Sequence, residues 1–487
     1  MRNRVLRLLS LLLVILTVSS IFASCGSSDD DYDAVTGEQS EEDPVPHLDW
    51  GGRPFRVLAT HNTYEPNFEI VGEAGADKLL NTVYERNLVV QEYCNVEIKD
   101  VAGDGVPLDY LEKDYMSGLR AYDLAFLIRD DMSSAIERGY MKDMTKVNYI
   151  NLENPWYNPL TISSMKISDR LYHMTSDFSL VDKARTNTLF YNRDLASDLQ
   201  IEEDVIALIR EGTWTIDVMY EMATKAAFDV DDNSKADPTD RYGLVCGGSE
   251  GAVAFYSGMG NTLVSFDANN NYQIKMTEER SLGCLDYIEK ILSVESWLGF
   301  TGSEEIHWTK DYNAPGDAFE QGRALFYSSS MSAIDDLAAN ADFAYTAIVY
   351  PKYNTDQEHY YTTNDNTYGS TFGIPYAAAD LDFCGYMIEV LSWKSHTTTY
   401  PEYYEVKCKV QKSYDPVCAE MLELNINGLV YDFGCQFSGS IRYKRAIEKF
   451  IVHNKDNKSI VDYYNEENTG ANNAIEGILD KIANLPE

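Results

Sequence analysis

Phe55-Arg56-Val57-Leu58-Ala59, Asn95-Val96-Glu97-Ile98 and Asp123-Leu124-Ala125-Phe126-Leu127 are three short runs rich in apolar and β-branched residues. Each reads as a strand. Between the first two, Leu79, Leu80, Val83, Tyr84, Asn87, Leu88 and Val90 recur at roughly helical spacing, so a helix joins them. Tyr110 to Leu119 supplies a second helix before the third strand. A strand-helix-strand-helix-strand order predicts a parallel sheet with crossover helices, an α/β arrangement. Neither GxGxxG nor GxxxxGK stands between a strand and a helix, so a nucleotide-binding reading lacks its main support.

Towards the C-terminus, Trp156 and Tyr157 sit in a stretch carrying Pro and Asn, and Leu171 to Leu180 reads as a hairpin or strand pair. Thr188 to Asn192 reads as a strand leaving that region. Ile201 to Ile209 and Thr215 to Ala227 read as helices, the second with Thr215 as N-cap and Tyr220, Met222 and Ala223 turned inward. Leu282 to Leu292 and Ala318 to Gln321 are further helical pieces, and Ala324 to Tyr327 is a short buried strand. Phe383 to Ser395, Pro416 to Leu424, Ile441 to Phe450, Ser459 to Glu467 and Asn472 to Ile482 make a helical C-terminal part. No internal repeat has a stable period.

Towards the N-terminus, residues 26 to 48 carry Asp29, Asp30, Asp31, Asp33, Glu38, Glu41, Glu42 and Asp43 with almost nothing to bury, the composition of a disordered tether. Before it, Arg2, Arg4 and Arg7 flank the start of a Leu, Val and Ile run that ends in Phe22-Ala23-Ser24-Cys25-Gly26. That order reads as an export signal. The closing cysteine makes it resemble a bacterial lipoprotein signal, with Cys25 as the lipidated first residue of the mature protein. Phe22 stands where strict forms of that motif have Leu. Diacylglycerol would supply two acyl chains, enough for stable anchoring.

Removing residues 1–24 leaves more than 460 residues, too many for one core, so two or three domains are expected. The formal net charge is −38; without Arg2, Arg4 and Arg7 the balance is 37 basic against 78 acidic residues, or −41. Such a chain excludes nucleic acid as a partner, because phosphate contacts need clustered Lys and Arg. Cys94, Cys246, Cys284, Cys384, Cys408, Cys418 and Cys435 form no CxxC pair, so neither a zinc knuckle nor a redox motif is indicated. Which of them pair outside the cell is open. The seven histidines are scattered, and no nucleophile elbow or HExxH occurs.

The ordered pieces resemble the extracellular solute-binding proteins of bacterial ABC importers, particularly the large sugar- and oligosaccharide-binding lipoproteins of Gram-positive bacteria. The likeness runs from Arg53 to Leu485. Phe190-Tyr191-Asn192-Arg193-Asp194-Leu195 resembles the family's strand-crossing segment, with the helix start Trp214-Thr215 soon after. Phe319 to Phe326 resembles its Phe-x-x-Gly-x-Ala turn, and Tyr350-Pro351-Lys352-Tyr353 its proline-bearing return. The resemblance implies a two-lobed periplasmic-binding-protein-like α/β fold with an interlobe cleft. The expected division is signal peptide 1–24, lipidated cysteine and tether 25–52, first part of lobe 1 at 53–160, mainly lobe 2 at 161–325, and mainly a return to lobe 1 with C-terminal helices at 326–487. It further implies a monomer, lipid-anchored at the extracellular face of the membrane. Such a protein captures a carbohydrate without altering it and passes it to permease subunits. A secreted carbohydrate-active enzyme and a surface adhesion lipoprotein are the competing classes.

A sugar cleft needs aromatic faces and polar side chains for hydroxyls. Candidate ligand contacts are Trp156, Tyr157, Asp177, Trp297, Trp308 and Asp365, with Tyr64 and Glu65 just beyond the first strand, where parallel sheets open their clefts. The sharpest local motif is Asp229 to Asp240. Asp229, Asp231, Asn233, Asp237 and Asp240 fall at positions one, three, five, nine and twelve of an EF-hand-type loop, and Lys235 offers its carbonyl at position seven. Ser234 replaces the usual glycine, and Asp240 the usual Glu. A structural Ca2+ is the candidate cofactor, and a metal-free acidic loop is the alternative.

Overall fold

A computed structural model describes residues 43–59, 69–101, 106–234, 239–292, 299–301, 314–364, 369–409, 417–451 and 457–485. The chain divides at Pro46, and His47–Glu487 makes one unit.

The opening stretch folds as its periodicity demands. β1 (Arg53–Ala59) runs into α1 (Lys78–Cys94), whose N-terminal amides at Leu79 and Leu80 are capped by the Asp77 carboxylate. Asn95 then takes a left-handed φ of 48° and stops the helix. β2 (Val96–Asp100), α2 (Pro107–Ser117), β3 (Leu124–Ile128) and α3 (Arg129–Glu137) follow. β2 and β3 both pair with β1 in parallel. Phe55, Val57, Leu124 and Leu127 are wholly buried; burying a side chain of this kind contributes about 1.5–3 kcal/mol.

After α4 (Pro159–Met165) the chain leaves this sheet. Leu171 to Leu180 does not form the hairpin or strand pair read there. Met174 makes a single antiparallel bridge with Phe372, and the hydroxyls of Ser176 and Ser179 bind neighbouring backbone amides, forming a turn. A fully buried segment shows strand-like apolar content without an extended ladder. The short helix α5 (Leu180–Ala184) leads to β4 (Asn187–Asn192). A short helix, Arg193–Asp198, follows, and Asp204 then caps a further one through the amides of Ile206 and Ala207, so the helix read from Ile201 begins at Val205.

α6 (Ile216–Ala226), β5 (Tyr242–Cys246), α7 (Gly248–Gly258), α8 (Glu279–Leu292), β6 (Gly299–Thr301), β7 (Ala324–Ser330) and β8 (Tyr345–Ile348) complete a second, five-stranded sheet in the order β8-β4-β7-β5-β6. Thr215 precedes α6 without a side-chain capping bond; Met222 and Ala223 are buried and Tyr220 half-buried. Gly243 lets β5 approach α6 closely: a Cβ there would lie 2.3 Å from the Ala223 carbonyl oxygen.

The chain then returns. β9 (Thr362–Thr363) precedes β10 (Ser370–Gly373), which adds to the first sheet antiparallel to β3, giving the order β10-β3-β1-β2. α9 (Leu381–Thr397) and α10 (Thr399–Lys409) pack on α1, whereas α11 (Val417–Asn427) packs on β8 of the second sheet. β11 (Leu429–Val430) pairs with β9 in parallel. α12 (Tyr443–Ile451) rests on α7 and α8. The last two predicted helices are one, α13 (Ile460–Ala483), started by a Ser459–Asp462 capping box. Its buried Ala471, Ile475, Ile478 and Ile482 keep the apolar face continuous across Gly470. Among the described residues no helix is long and apolar enough to cross a membrane.

Candidate functional site

Carboxyl ends of parallel strands, and the amino ends of antiparallel ones beside them, share an edge of a sheet, and open α/β sheets bind ligands there. In the first sheet that edge holds Ala59 and Ile128, with Ser370 of β10 opposite Ile128. In the second it holds Cys246 and Ser328–Ser330, with Asn187 of β4 opposite Ser330. The crossing chain therefore enters the second sheet at its carboxyl edge.

A cavity of about 240 Å3 opens at this point, lined by Arg185, Asn187, Gly247, Tyr327, Ser329 and Asp336 among others. Asn187 is 6% exposed, and its Nδ2 has no hydrogen-bond partner among the described residues. Its main-chain carbonyl accepts from Thr362 Oγ1 at 2.7 Å, which fixes the backbone behind the side chain. A buried donor left unmatched costs about 1–3 kcal/mol, and this one belongs to a residue that lines the cavity. Beside it, the Tyr350 hydroxyl donates to the Thr188 carbonyl at 3.2 Å and so accepts from Ser328 Oγ at 2.7 Å. Tyr327 stacks on Phe190, with ring centroids 5.8 Å apart, and burial pushes its hydroxyl up to about 12.

A second cavity, about 470 Å3, lies on the other side of the same crossing segment and brings together Trp156, Tyr157 and Asp177. Asp182 and Lys183 face this cavity, and Arg185 and Asn187 the first. The Asp177 amide donates to the Trp156 carbonyl at 3.0 Å. One Asp177 oxygen lies 2.6 Å from His396 Nδ1 and the other 3.7 Å from Lys183 Nζ. The hydrogen bond to Asp177 holds the His396 imidazolium above its ordinary pKa. Lys183 donates to the Ser176 carbonyl at 2.6 Å and sits 5.1 Å from the centre of the Tyr400 ring. Trp156 and Tyr157 are 3% and 2% exposed. The Tyr157 hydroxyl donates to Glu389 at 2.7 Å, and burial together with that carboxylate pushes it well above its usual value.

The Asp229 loop gathers a third set of groups. Carboxylate oxygens of Asp229, Asp231 and Asp240 lie within 4.8 Å of one another, a cluster that can coordinate a divalent ion. Asp240 is buried and accepts from the Val230 amide at 2.9 Å. Asp231 accepts from the Asn233 side chain at 2.8 Å. Ser234, at the position of the missing glycine, takes a left-handed φ of 58°. Its amide donates to Asp229 at 2.8 Å, so a hydroxyl residue makes the sharp turn here. The donor set is all oxygen, which suits a hard cation.

Cys25, Tyr64, Glu65, Lys235, Asp237, Trp297, Trp308 and Asp365 lie outside the described residues. Sequence reasoning missed Arg185 and Asn187. Their signal was position: they stand just before Thr188–Asn192, the strand read as leaving the Trp156 to Leu180 region, and the residue entering a strand at a crossing stands at the carboxyl edge of the sheet.

No family model matches the sequence, and no curated protein matches it. Solved structures do match. The sugar-binding protein MalE from Xanthomonas citri is 12% identical, with 88% of this chain and 97% of that one covered at a TM-score of 0.53. A cyclo/maltodextrin-binding protein complexed with maltotetraose is 13% identical over 90% of this chain and 99% of that one, also at 0.53. UspC of M. tuberculosis is 11% identical over 86% and 100%, again at 0.53. At this identity the likeness is one of fold. The two sheets and their crossings form a two-lobed, periplasmic-binding-protein-like α/β fold.

Proposed function

We propose that this chain is the carbohydrate-binding component of an ABC importer. In this reading it is a monomer held by lipid on Cys25 at the outer face of the membrane of a Gram-positive bacterium. It captures an oligosaccharide between its lobes and delivers it to permease subunits. The observation that carries the reading is the buried, unmatched Asn187 donor at the carboxyl edge of the second sheet, where the chain crosses between two separately sheeted lobes. Lobe closure hides a ligand from water and creates a distinct bound shape that a transporter can recognise. Tyr64, Glu65, Trp297, Trp308 and Asp365 are proposed as ligand contacts, with Trp156, Tyr157 and Asp177 from the crossing region. A Ca2+ ion in the Asp229–Asp240 loop would be structural, tying that loop down within one lobe. Lipid tethering keeps capture and delivery at high local concentration.

Calorimetry of the mature protein against a panel of linear and cyclic oligosaccharides, followed by chromatography of the recovered sugar, tests this. The expected result is saturable binding with the sugar returned intact. Cleaved product, or no binding to any sugar in the panel, would overturn it.

A further inference from the structure

Cys408, next to the last residue of α10, and Cys418, second residue of α11, place their sulfurs 3.0 Å apart. Both side chains are buried, at 4% and 0% exposure. A disulfide bond is about 2.04 Å long, so closing the gap needs about 1 Å of sulfur movement. Helix ends, where both cysteines sit, yield such movement readily. α10 packs on α1 beside the first sheet and also on α11, and α11 packs on β8 of the second; both cysteines lie in one buried cluster with Phe190 and Tyr345.

We propose that Cys408 and Cys418 form a disulfide that joins these two helices where the C-terminal region passes from one lobe to the other. The oxidant is a low-molecular-weight disulfide of the exported environment. A Cys408 thiolate attacks it, forming a mixed disulfide and releasing one small thiol. The Cys418 thiolate then displaces the second small thiol and closes the protein S–S bond. Two protein thiols are oxidised by two electrons in all, the reagent disulfide is reduced by two, and the two protons pass to the released thiols. Three of the other thiols are poorly suited to this exchange. Burial pushes Cys94 and Cys284 up to about 11 and Cys246 to about 12, whereas the contact with Cys418 lowers Cys408.

The inference is independent of the ligand. Its test is incubation of the mature protein with oxidised glutathione, then denaturation, alkylation without reduction and peptide mapping. The expected result is a Cys408–Cys418 cross-linked peptide, with Cys94, Cys246, Cys284 and Cys384 alkylated. Alkylation of both Cys408 and Cys418, or linkage of either to another cysteine, would overturn it. Thermal melts provide a second arm. The oxidised protein should melt a few degrees higher than the same sample after reductant, and the C408S/C418S variant should show no such difference. A reductant effect that persists in that variant would also overturn the proposal. Sugar binding measured on the same samples keeps a failure of the disulfide distinct from a failure of the receptor reading.

Discussion

The side-chain amide of Gln436 lies 2.6 Å from Nε2 of the buried His173, and an amide nitrogen has only protons to give. Nε2 therefore accepts, Nδ1 carries the ring proton, and that proton goes to Thr371 Oγ1 at 2.9 Å. One neutral imidazole thus joins the crossing segment, β10 and the short helix Phe433–Gln436.

Burial lowers His173 from 6.5 to about 4. The unfolded chain takes up a proton near pH 6.5 and the folded chain does not. The stability from this group is therefore fully present above pH 6.5 and falls as pH drops towards 4, by about 3 kcal/mol in all. Urea unfolding of wild type and H173N between pH 4 and 7 checks this. The variant should be less stable at pH 7 and should lose part of the decline on acidification. An identical pH slope in both proteins would contradict it.

Arg86 is fully buried on α1 with its pKa lowered to about 9 by burial. It donates to the Glu69 carbonyl, to Ser395 Oγ at 2.7 Å and to the Asn87 side chain at 2.9 Å, and lies 5.0 Å from the centre of the Phe178 ring. Replacing it with alanine strands these acceptors and opens a cavity. R86A should cost about 3 kcal/mol in denaturant unfolding; a loss below about 1 kcal/mol would mean that the guanidinium holds nothing essential.

Removing the Asn187 side chain takes away a donor that the described residues do not use. N187A should not lower the melting temperature of the sugar-free protein, since it removes an unmatched buried donor, and should weaken oligosaccharide binding about 2- to 10-fold, the worth of one neutral hydrogen bond. Calorimetry beside a thermal melt separates the two effects. Unchanged affinity would place the sugar away from this cavity.

Divalent ions should stabilise the protein through the Asp229, Asp231 and Asp240 cluster. At a free ion concentration 100 times the Kd the gain is about 2.7 kcal/mol, read as a rise in Tm that chelator reverses. In D240N the Val230 amide still finds an oxygen, but the cluster loses a charge, so the calcium-dependent rise should shrink or vanish. A rise of the same size in wild type and D240N would move the ion elsewhere.

Local chemistry was enough to read much of the architecture. The runs at Phe55, Val96 and Leu124 announce strands because apolar and β-branched residues fit a buried pleat, and the Leu79–Val90 spacing announces a helix because those residues fall on one face. The turn-forming hydroxyls of Ser176 and Ser179 were harder to read: their partners are backbone amides whose positions depend on how the crossing segment packs. The break read between Glu467 and Asn472 is absent, since the buried face of α13 outweighs the modest propensity cost of one glycine at Gly470.

The sequence by itself determined the acidic balance, the α/β class, the opening strand-helix-strand-helix-strand order and the Asp229–Asp240 spacing. All of these follow from composition or from neighbours along the chain. Only the tertiary structure decided that Asn187 stands opposite Ser330 beside an open cavity. It alone placed Trp156 and Asp177 with His396, 240 and 219 residues further on, and set Cys408 against Cys418 rather than another cysteine. Strand register and helix packing bring those pairs together, and both are set by burial and hydrogen bonding between distant segments, which no local pattern of residues encodes.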